Sequence, residues 1–507
     1  MLLPALLLAC TSGVIKSPVD GDSNPPDTSD GLSDPLDSAD SADSADSADS
    51  ADTGAAPATA LDLVEAIDID RLMAHLSALQ AAADADGGTR VVGSDGYLGS
   101  ATYVASQLES AGYAVTWQEL LFPVFDELSP PELTGGGVTW IAGEDFQTFT
   151  YSGAGVASAP IVAVDLILPP GDAPNTSDSG CQRSDFDDFP EGAIALLQRG
   201  TCTFADKAAA AEAAGASGVI IFNEGQEGRR DLFSSSVDSG GTLGIPAVSA
   251  SFALGEALAE ADGADGLLSV DAVLEDRPTW NLLADLAGSP DQIIVVGGHL
   301  DSVSAGPGIN DNGSGSALIL ELAIQAAEIR LKPAATLRFA FWTAEEEGLV
   351  GSQHYVSSLS AAELEKHVAN LNFDMIASPN GGRFVYDGDG SAGLGGSAPP
   401  EGSAEIEALF TDWLDGQDQR WDATAFDGRS DYGAFISRGV PAGGLFSGAE
   451  DNKSRAEAEA WGGTSGAPFD PCYHQACDTL DNIDPALFLE LARAGAWATG
   501  SLALAAP

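Results

Sequence analysis

Positive charge is what this 507-residue chain has least of: Lys and Arg number 20 against 77 Asp and Glu, a formal net charge of −57. A phosphate-binding surface needs clustered Lys and Arg, so nucleic-acid binding is excluded. Acidity on this scale favours solubility and repels anionic surfaces. Histidine is scarce as well, with five residues in the whole chain. The N-terminal apolar run MLLPALLLAC is far too short to span a bilayer. There are only five cysteines.

Cys10 closes that N-terminal run. With Leu-Leu-Ala before it, the segment resembles a bacterial lipoprotein signal whose cysteine becomes the lipidated first residue. It departs from the usual export signal in having no Lys or Arg ahead of the apolar stretch. The other reading is a secretory peptide cleaved elsewhere. Either way the expectation is an exported protein, lipid-anchored to the bacterial cell envelope or secreted. In an exported chain the even set Cys181, Cys202, Cys472 and Cys477 argues for two disulfides rather than a zinc knuckle. Three connectivities are open, and proximity favours Cys181–Cys202 and Cys472–Cys477.

Five segments follow from the texture of the chain. Residues 1–10 form the signal. Residues 11–60, with SADSADSADSADSAD at their heart and eleven Asp against one Lys, cannot bury enough surface to offset ordering entropy. They read as a disordered acidic tether. Residues 61–122 open the folded part with LVEAIDIDRLMAHLSALQ and YLGSATYVASQLESAGY, both with helical apolar spacing, and AVTWQELLF as a strand. Residues 123–276 read as an inserted β-rich module, with short strands such as APIVAVDLIL. Residues 277–507 alternate strand and helix: IIVVGGH, GSALILELAIQAAEI, TLRFAFW, GLVGSQHYVSSL, LNFDMI. Continuous apolar strands between helices predict an α/β domain with a mostly parallel central sheet. In such sheets ligands gather beyond the carboxyl ends of the strands.

Polar residues stand just past those ends. His299 and Asp301 follow IIVVGG, and Asp311 lies in the Gly-rich loop after them. Glu345 and Glu346 follow TLRFAFWTA, Asp374 ends NLNFD, and His474 sits in PCYHQACD between two cysteines. Taken singly each has an ordinary explanation: a hydrogen-bonded histidine, an Asp-Asn-Gly turn, a glutamate pair favoured by a helix dipole. Taken together, carboxylates crowded into one cleft need a cation among them. Zinc suits a set of His and carboxylate donors, and a bridging carboxylate would support a two-metal arrangement.

HLDSVSAGPGINDNGSGSA, RFAFWTAEEEGLVGSQHYV, NLNFDMIASPN, DGRSD, GVPAGGLFSGA and CYHQACDTLDNI together resemble the secreted bacterial double-zinc leucyl aminopeptidases of metallopeptidase family twenty-eight. The resemblance covers most of residues 280–502 and, more weakly, 61–122. GAIALLQRGTCTF and GASGVIIFN in the insert resemble a protease-associated domain. The implied fold is the zinc exopeptidase α/β fold carrying that insert.

Carried over residue by residue, the resemblance implies His299 and Asp374 on a first zinc ion, Glu346 and His474 on a second, and Asp311 between them. It implies Glu345 as general base and Asp301 as a hydrogen-bond partner that orients His299. In the run Glu345-Glu346-Glu347 the family has one variable residue before the glycine, which makes Glu345 and Glu346 the base and ligand. Tyr473 matches a residue that steadies an oxyanion. Arg429 matches an arginine near the substrate's first residue, and Phe446 an apolar wall of the specificity pocket. Some members bind calcium through aspartates near the C-terminal helix; ALFLELARAGA offers none, so no calcium is expected there.

The expected activity is removal of N-terminal, large apolar residues from peptides with a free N-terminus, using two zinc ions and no obligate protein partner. The alternatives are a di-zinc carboxypeptidase or dipeptidase of the same fold and a non-catalytic surface receptor.

Overall fold

A computed structural model of the chain describes residues 56–237 and 243–505. Cys10 and the tether up to residue 55 lie outside the described residues.

The first helical stretch is two helices rather than one, Ala60–Ala66 and Ile69–Ala85. Asp68 breaks them because its carboxylate caps the second, accepting from the backbone N–H groups of Asp70 and Arg71 at 2.9 and 3.3 Å. A third helix, Asp95–Ser110, starts at a Ser94 cap.

The larger part of the sheet is built on three adjacent parallel strands. Ser289–His299 lies in the middle, with Ala335–Trp342 on one side and His367–Phe373 on the other. Ala442–Phe446 extends the parallel set beyond His367–Phe373. Helices pack on these strands because the strands are apolar on both faces. Gly315–Glu328 is the central one, buried from Gly315 through Ala326. Pro485–Leu504 packs into the same core, which also takes in Leu72, Leu76, Val296, Leu318, Phe339 and Phe373. Close approach explains two glycines: a Cβ at Gly298 or Gly315 would lie 2.5 or 2.0 Å from the Phe373 carbonyl oxygen.

The strand expected at AVTWQELLF continues much further, as Val115–Gly135, and pairs antiparallel with Asp265–Leu286 along most of its length. This ribbon joins both parts of the molecule. At one end Leu282–Leu286 pairs with Ala335–Trp342 beside the three parallel strands; at the other, Asp265–Val270 pairs with Gly155–Ala163 of the insert. Phe122 pairs with Arg277 and Pro123 with Asp276, on neighbouring rungs of one ladder. Prolines are tolerated in this stretch because it pairs only within the ribbon, leaving the outer edges without a ladder partner.

The insert has its own parallel strands, Gly155–Ala163, Ile194–Gln198, Gly218–Phe222 and Ala247–Ala250, with Phe146–Thr148 antiparallel at the edge. Helices Phe204–Ala213 and Phe252–Glu260 cover them over two separate apolar clusters. Cys181 is bonded to Cys202 in this part, and Cys472 to Cys477 in the C-terminal part of the chain. Among the described residues no helix is long and apolar enough to cross a membrane.

Candidate metal centre

The order of the three central strands decides which side chains meet. His299 ends the middle strand, Asp374 follows one neighbour, and Glu345 and Glu346 follow the other. Asp311 reaches the same cavity from a buried turn before the central helix, where Gly308 takes a left-handed φ of 61°. His474 arrives from the loop closed by the Cys472–Cys477 bridge.

His299 Nε2 lies 3.3 Å from Asp311 Oδ1, 3.4 Å from Asp374 Oδ1 and 3.9 Å from Glu345 Oε2. His474 Nε2 lies 3.2 Å from Asp311 Oδ2 and 3.1 Å from Glu346 Oε2. The two oxygens of Asp311 therefore face different imidazoles. His299 is fully buried, whereas the His474 side chain is 40% exposed. Buried nitrogens of His299, with Glu346 Oε1 and Asp374 Oδ1, make no hydrogen bond. Buried donors rarely stay unpaired, and lone pairs converging in this way are a fit for cations.

The electrostatics agree. Burial pushes Glu345 well above the usual carboxylate range, with Asp431, Asp374 and Glu346 adding repulsion against the pull of His299. Burial likewise raises Glu346 to about 7, with the charge of Asp311 adding to it. Burial alone would lower His474, but hydrogen bonding to Asp311 and Glu346 carries it to about 10. Burial opposes Asp311's charge too, yet the two imidazoles hold its carboxyl far below the ordinary range. Without a cation, the cluster relieves its crowding by holding protons.

Asp301 is buried beside His299, with Oδ1 3.7 Å from Nδ1. Its carboxylate accepts backbone N–H groups from Glu345 and Glu346 at 3.1 and 3.3 Å. It thus connects the His299 strand end to the glutamate pair. Tyr473 stacks on His474 with ring centroids 3.8 Å apart. The Tyr473 hydroxyl accepts from Arg429 at 2.9 Å, and Arg429 also pairs with Glu450 at 3.0 Å. Phe446 ends its strand half-buried and packs on Phe384, 6.1 Å between centroids.

Several supporting residues are assigned no role by the sequence. Arg90 is fully buried and donates to the carbonyls of Leu300, Pro307 and Gly308, bracing the turns after His299 and before Asp311. Asp478 accepts from the backbone N–H groups of Asn310 and Asp311 at 2.9 and 3.0 Å. Ser430 donates to Asp374 Oδ2 at 2.6 Å. Asp431, next to it, is fully buried and raised to about 7 by that burial. Each is a single polar residue that only the folded chain brings to the site. Ala344, Met375 and His474, which flank or form the cluster, hold left-handed φ values of 53°, 49° and 55°. Such conformations cost about 1–3 kcal/mol each and collect where function over-determines the backbone.

Residues 281–497 match Peptidase family M28, and residues 157–258 match the PA domain. An aminopeptidase of Pseudomonas aeruginosa is 43% identical over 433 residues, covering 84% of this chain and 79% of that protein. A probable lipoprotein aminopeptidase, LpqL, of Mycobacterium tuberculosis is 42% identical over 441 residues, covering 85% and 84%. Among solved structures, the aminopeptidase from Aneurinibacillus sp. strain AM-1 superposes with a TM-score of 0.66 at 27% identity, covering 88% of this chain and 97% of that one.

Proposed function

This chain belongs to peptidase family M28 and is a metallo-aminopeptidase, and we propose that it uses two zinc ions to release large apolar residues from the free N-termini of peptides. The observation that carries the two-ion reading is Asp311, whose oxygens face His299 and His474 separately at 3.3 and 3.2 Å. In this reading His299 and Asp374 would hold one ion and His474 and Glu346 the other, with Asp311 available to both. Nitrogen and carboxylate donors of this kind suit zinc. When bound, two zinc ions supply Lewis acidity, polarising a carbonyl and making water acidic enough to attack near neutral pH.

Glu345 is the general base. Its Oε2 takes a proton from the attacking water and hands it to the leaving amine, a role suited to a carboxylate whose burial raises its proton affinity. Asp301 is a positioning residue: its carboxylate faces His299 Nδ1 at 3.7 Å, too far for a hydrogen bond in this structure, and fixes the backbone that presents Glu345 and Glu346. The Tyr473 hydroxyl steadies the oxyanion, held in place by Arg429. Arg429 lies toward the substrate's first residue, and Phe446 forms an apolar wall for its side chain. The acidic cavity favours a cationic α-amino group and disfavours a free carboxylate. This sets the aminopeptidase apart from the carboxypeptidase or dipeptidase alternatives.

The similar LpqL is a probable lipoprotein aminopeptidase, which supports the reading of Cys10 as a lipidation site. It also supports an exported protein anchored to the cell envelope. The segment boundaries given above, with residues 123–276 as the inserted domain, are part of the same proposal.

Parallel assays on leucine p-nitroanilide and on N-blocked dipeptides test the activity. Turnover of the unblocked leucine substrate with little on the blocked ones is expected. Equal or faster turnover of the blocked substrates contradicts the aminopeptidase reading.

A further inference from the structure

A second group of carboxylates lies outside the centre described above. Asp387 and Asp389 follow the short strand Phe384–Tyr386, and Glu407 projects from helix Ser403–Gly416. One carboxylate oxygen from each lies within 4.8 Å of the others. Asp387 is 6% exposed and Glu407 9%, while Asp389 opens to solvent. The observation that points to a ligand is Asp387 Oδ1, which is buried and has no hydrogen-bond partner. The remaining contacts only arrange the loop. Asp387 Oδ2 accepts from the Ala392 N–H at 3.2 Å, Asp389 Oδ1 from Ser391 at 2.7 Å, and Glu407 Oε2 from Asp389 at 3.0 Å. A buried, unpaired carboxylate oxygen beside two further carboxylates is costly unless a cation joins them.

We propose that Asp387, Asp389 and Glu407 bind a calcium ion. The donors are oxygens without imidazole or thiolate, which favours a hard cation over zinc. Carboxylates two residues apart on a Gly-rich turn (Asp387-Gly-Asp389-Gly-Ser391), completed by a glutamate from a later helix, follow the design of calcium loops. A small octahedral ion such as magnesium demands stricter geometry and gives up its waters reluctantly.

Such an ion would pin the loop between residues 387 and 402 to its helix. That loop reaches the segment carrying Arg429, Ser430 and Asp431. The Ser397 N–H donates to the Phe426 carbonyl at 2.7 Å, and Tyr386 stacks on Phe426 at 5.1 Å. Calcium at this place is therefore a positioning ion for one wall of the cavity.

The test uses the full chain, stripped of metals on a chelating resin and reloaded with zinc alone. Calcium chloride is then titrated by calorimetry, and thermal melts are recorded with calcium or magnesium at equal ionic strength. The magnesium arm matters because a chain this acidic gains from any divalent cation. We expect one calcium ion to bind with a Kd of about 0.1–1 mM, and Tm to rise by about 1–2 °C at ten times that concentration. In exposed Asp389→Asn, calcium binding weakens at least tenfold, while turnover of leucine p-nitroanilide without calcium matches the wild type. No saturable heat, a magnesium effect equal to that of calcium, or an unchanged response in Asp389→Asn overturns the proposal.

Discussion

His299 and His474 present equivalent nitrogens to the same aspartate from opposite kinds of structure. His299 ends the central strand, fully buried, with carboxylates delivered by the strands on either side. His474 sits on a surface loop, its side chain 40% exposed, and the Cys472–Cys477 bridge and a left-handed backbone hold it. One half of the centre is thus a consequence of sheet order and core packing. The other depends on a local staple. The difference predicts which perturbations damage the two halves together and which separate them.

Glu345→Gln should leave both halves intact and remove only the proton carrier. Turnover should fall about 10²–10⁴-fold, with zinc content per chain unchanged by elemental analysis. Loss of zinc along with activity would instead make Glu345 a ligand.

The histidine variants separate the halves. His299→Ala and His474→Ala should each lose one ion and nearly all activity. Their metal-free stabilities, measured by urea unfolding, should diverge. His299→Ala strands buried carboxylates without their partner, at a cost of about 3–5 kcal/mol. His474→Ala, half open to water, should cost less, about 1–2 kcal/mol, because solvent screens part of its pairing with Asp311 and Glu346. Equal losses would remove the distinction between a packed half and a stapled one.

The two disulfides offer a matched pair. Opening Cys472–Cys477 with a double Ser variant frees a short loop whose closure is worth about 2 kcal/mol in the chain-entropy account. Affinity for the His474 ion should weaken accordingly, by about thirtyfold. Opening Cys181–Cys202 in the insert should leave zinc binding unchanged. Competition with a zinc chelator reads both.

Acidity is the mildest lever. The raised values of His474 (about 10) and Glu346 (about 7) mean that the metal-free cluster holds protons that zinc must displace. Zinc affinity should therefore fall with pH. The dependence should be at least tenfold per unit, since the surrounding carboxylates raise His299 as well as His474 against the effect of burial, steepening below pH 7 where Glu346 is protonated too. Calorimetry in buffers of different ionisation enthalpy counts the protons released. A flat pH dependence would contradict the raised values.

The packed half of the centre was the more legible in sequence. IIVVGGH, TLRFAFW and LNFDMI are continuous apolar runs that end in polar residues, and parallel strands align those ends, so His299, Glu345, Glu346 and Asp374 announce themselves. Asp311 and His474 carry no periodic signal; a Gly-rich loop and a flanking pair of cysteines mark them, and their separate roles come only from resemblance to a family. Arg90 and Asp478 were not legible, because each acts on backbone far away in the chain. The long ribbon was also concealed: Pro123 and Pro278 read as strand ends, yet both fit a two-stranded ladder without outer neighbours. The break at Asp68 was hidden for the opposite reason, since apolar spacing runs through a residue that caps.

Anomalous diffraction at the zinc edge from crystals of the zinc-loaded chain addresses the two-ion centre directly. Two peaks about 3.5–4 Å apart are expected, one against His299 and Asp374, the other against His474 and Glu346, with Asp311 between them. A single peak, or a pair that does not share Asp311, would contradict it.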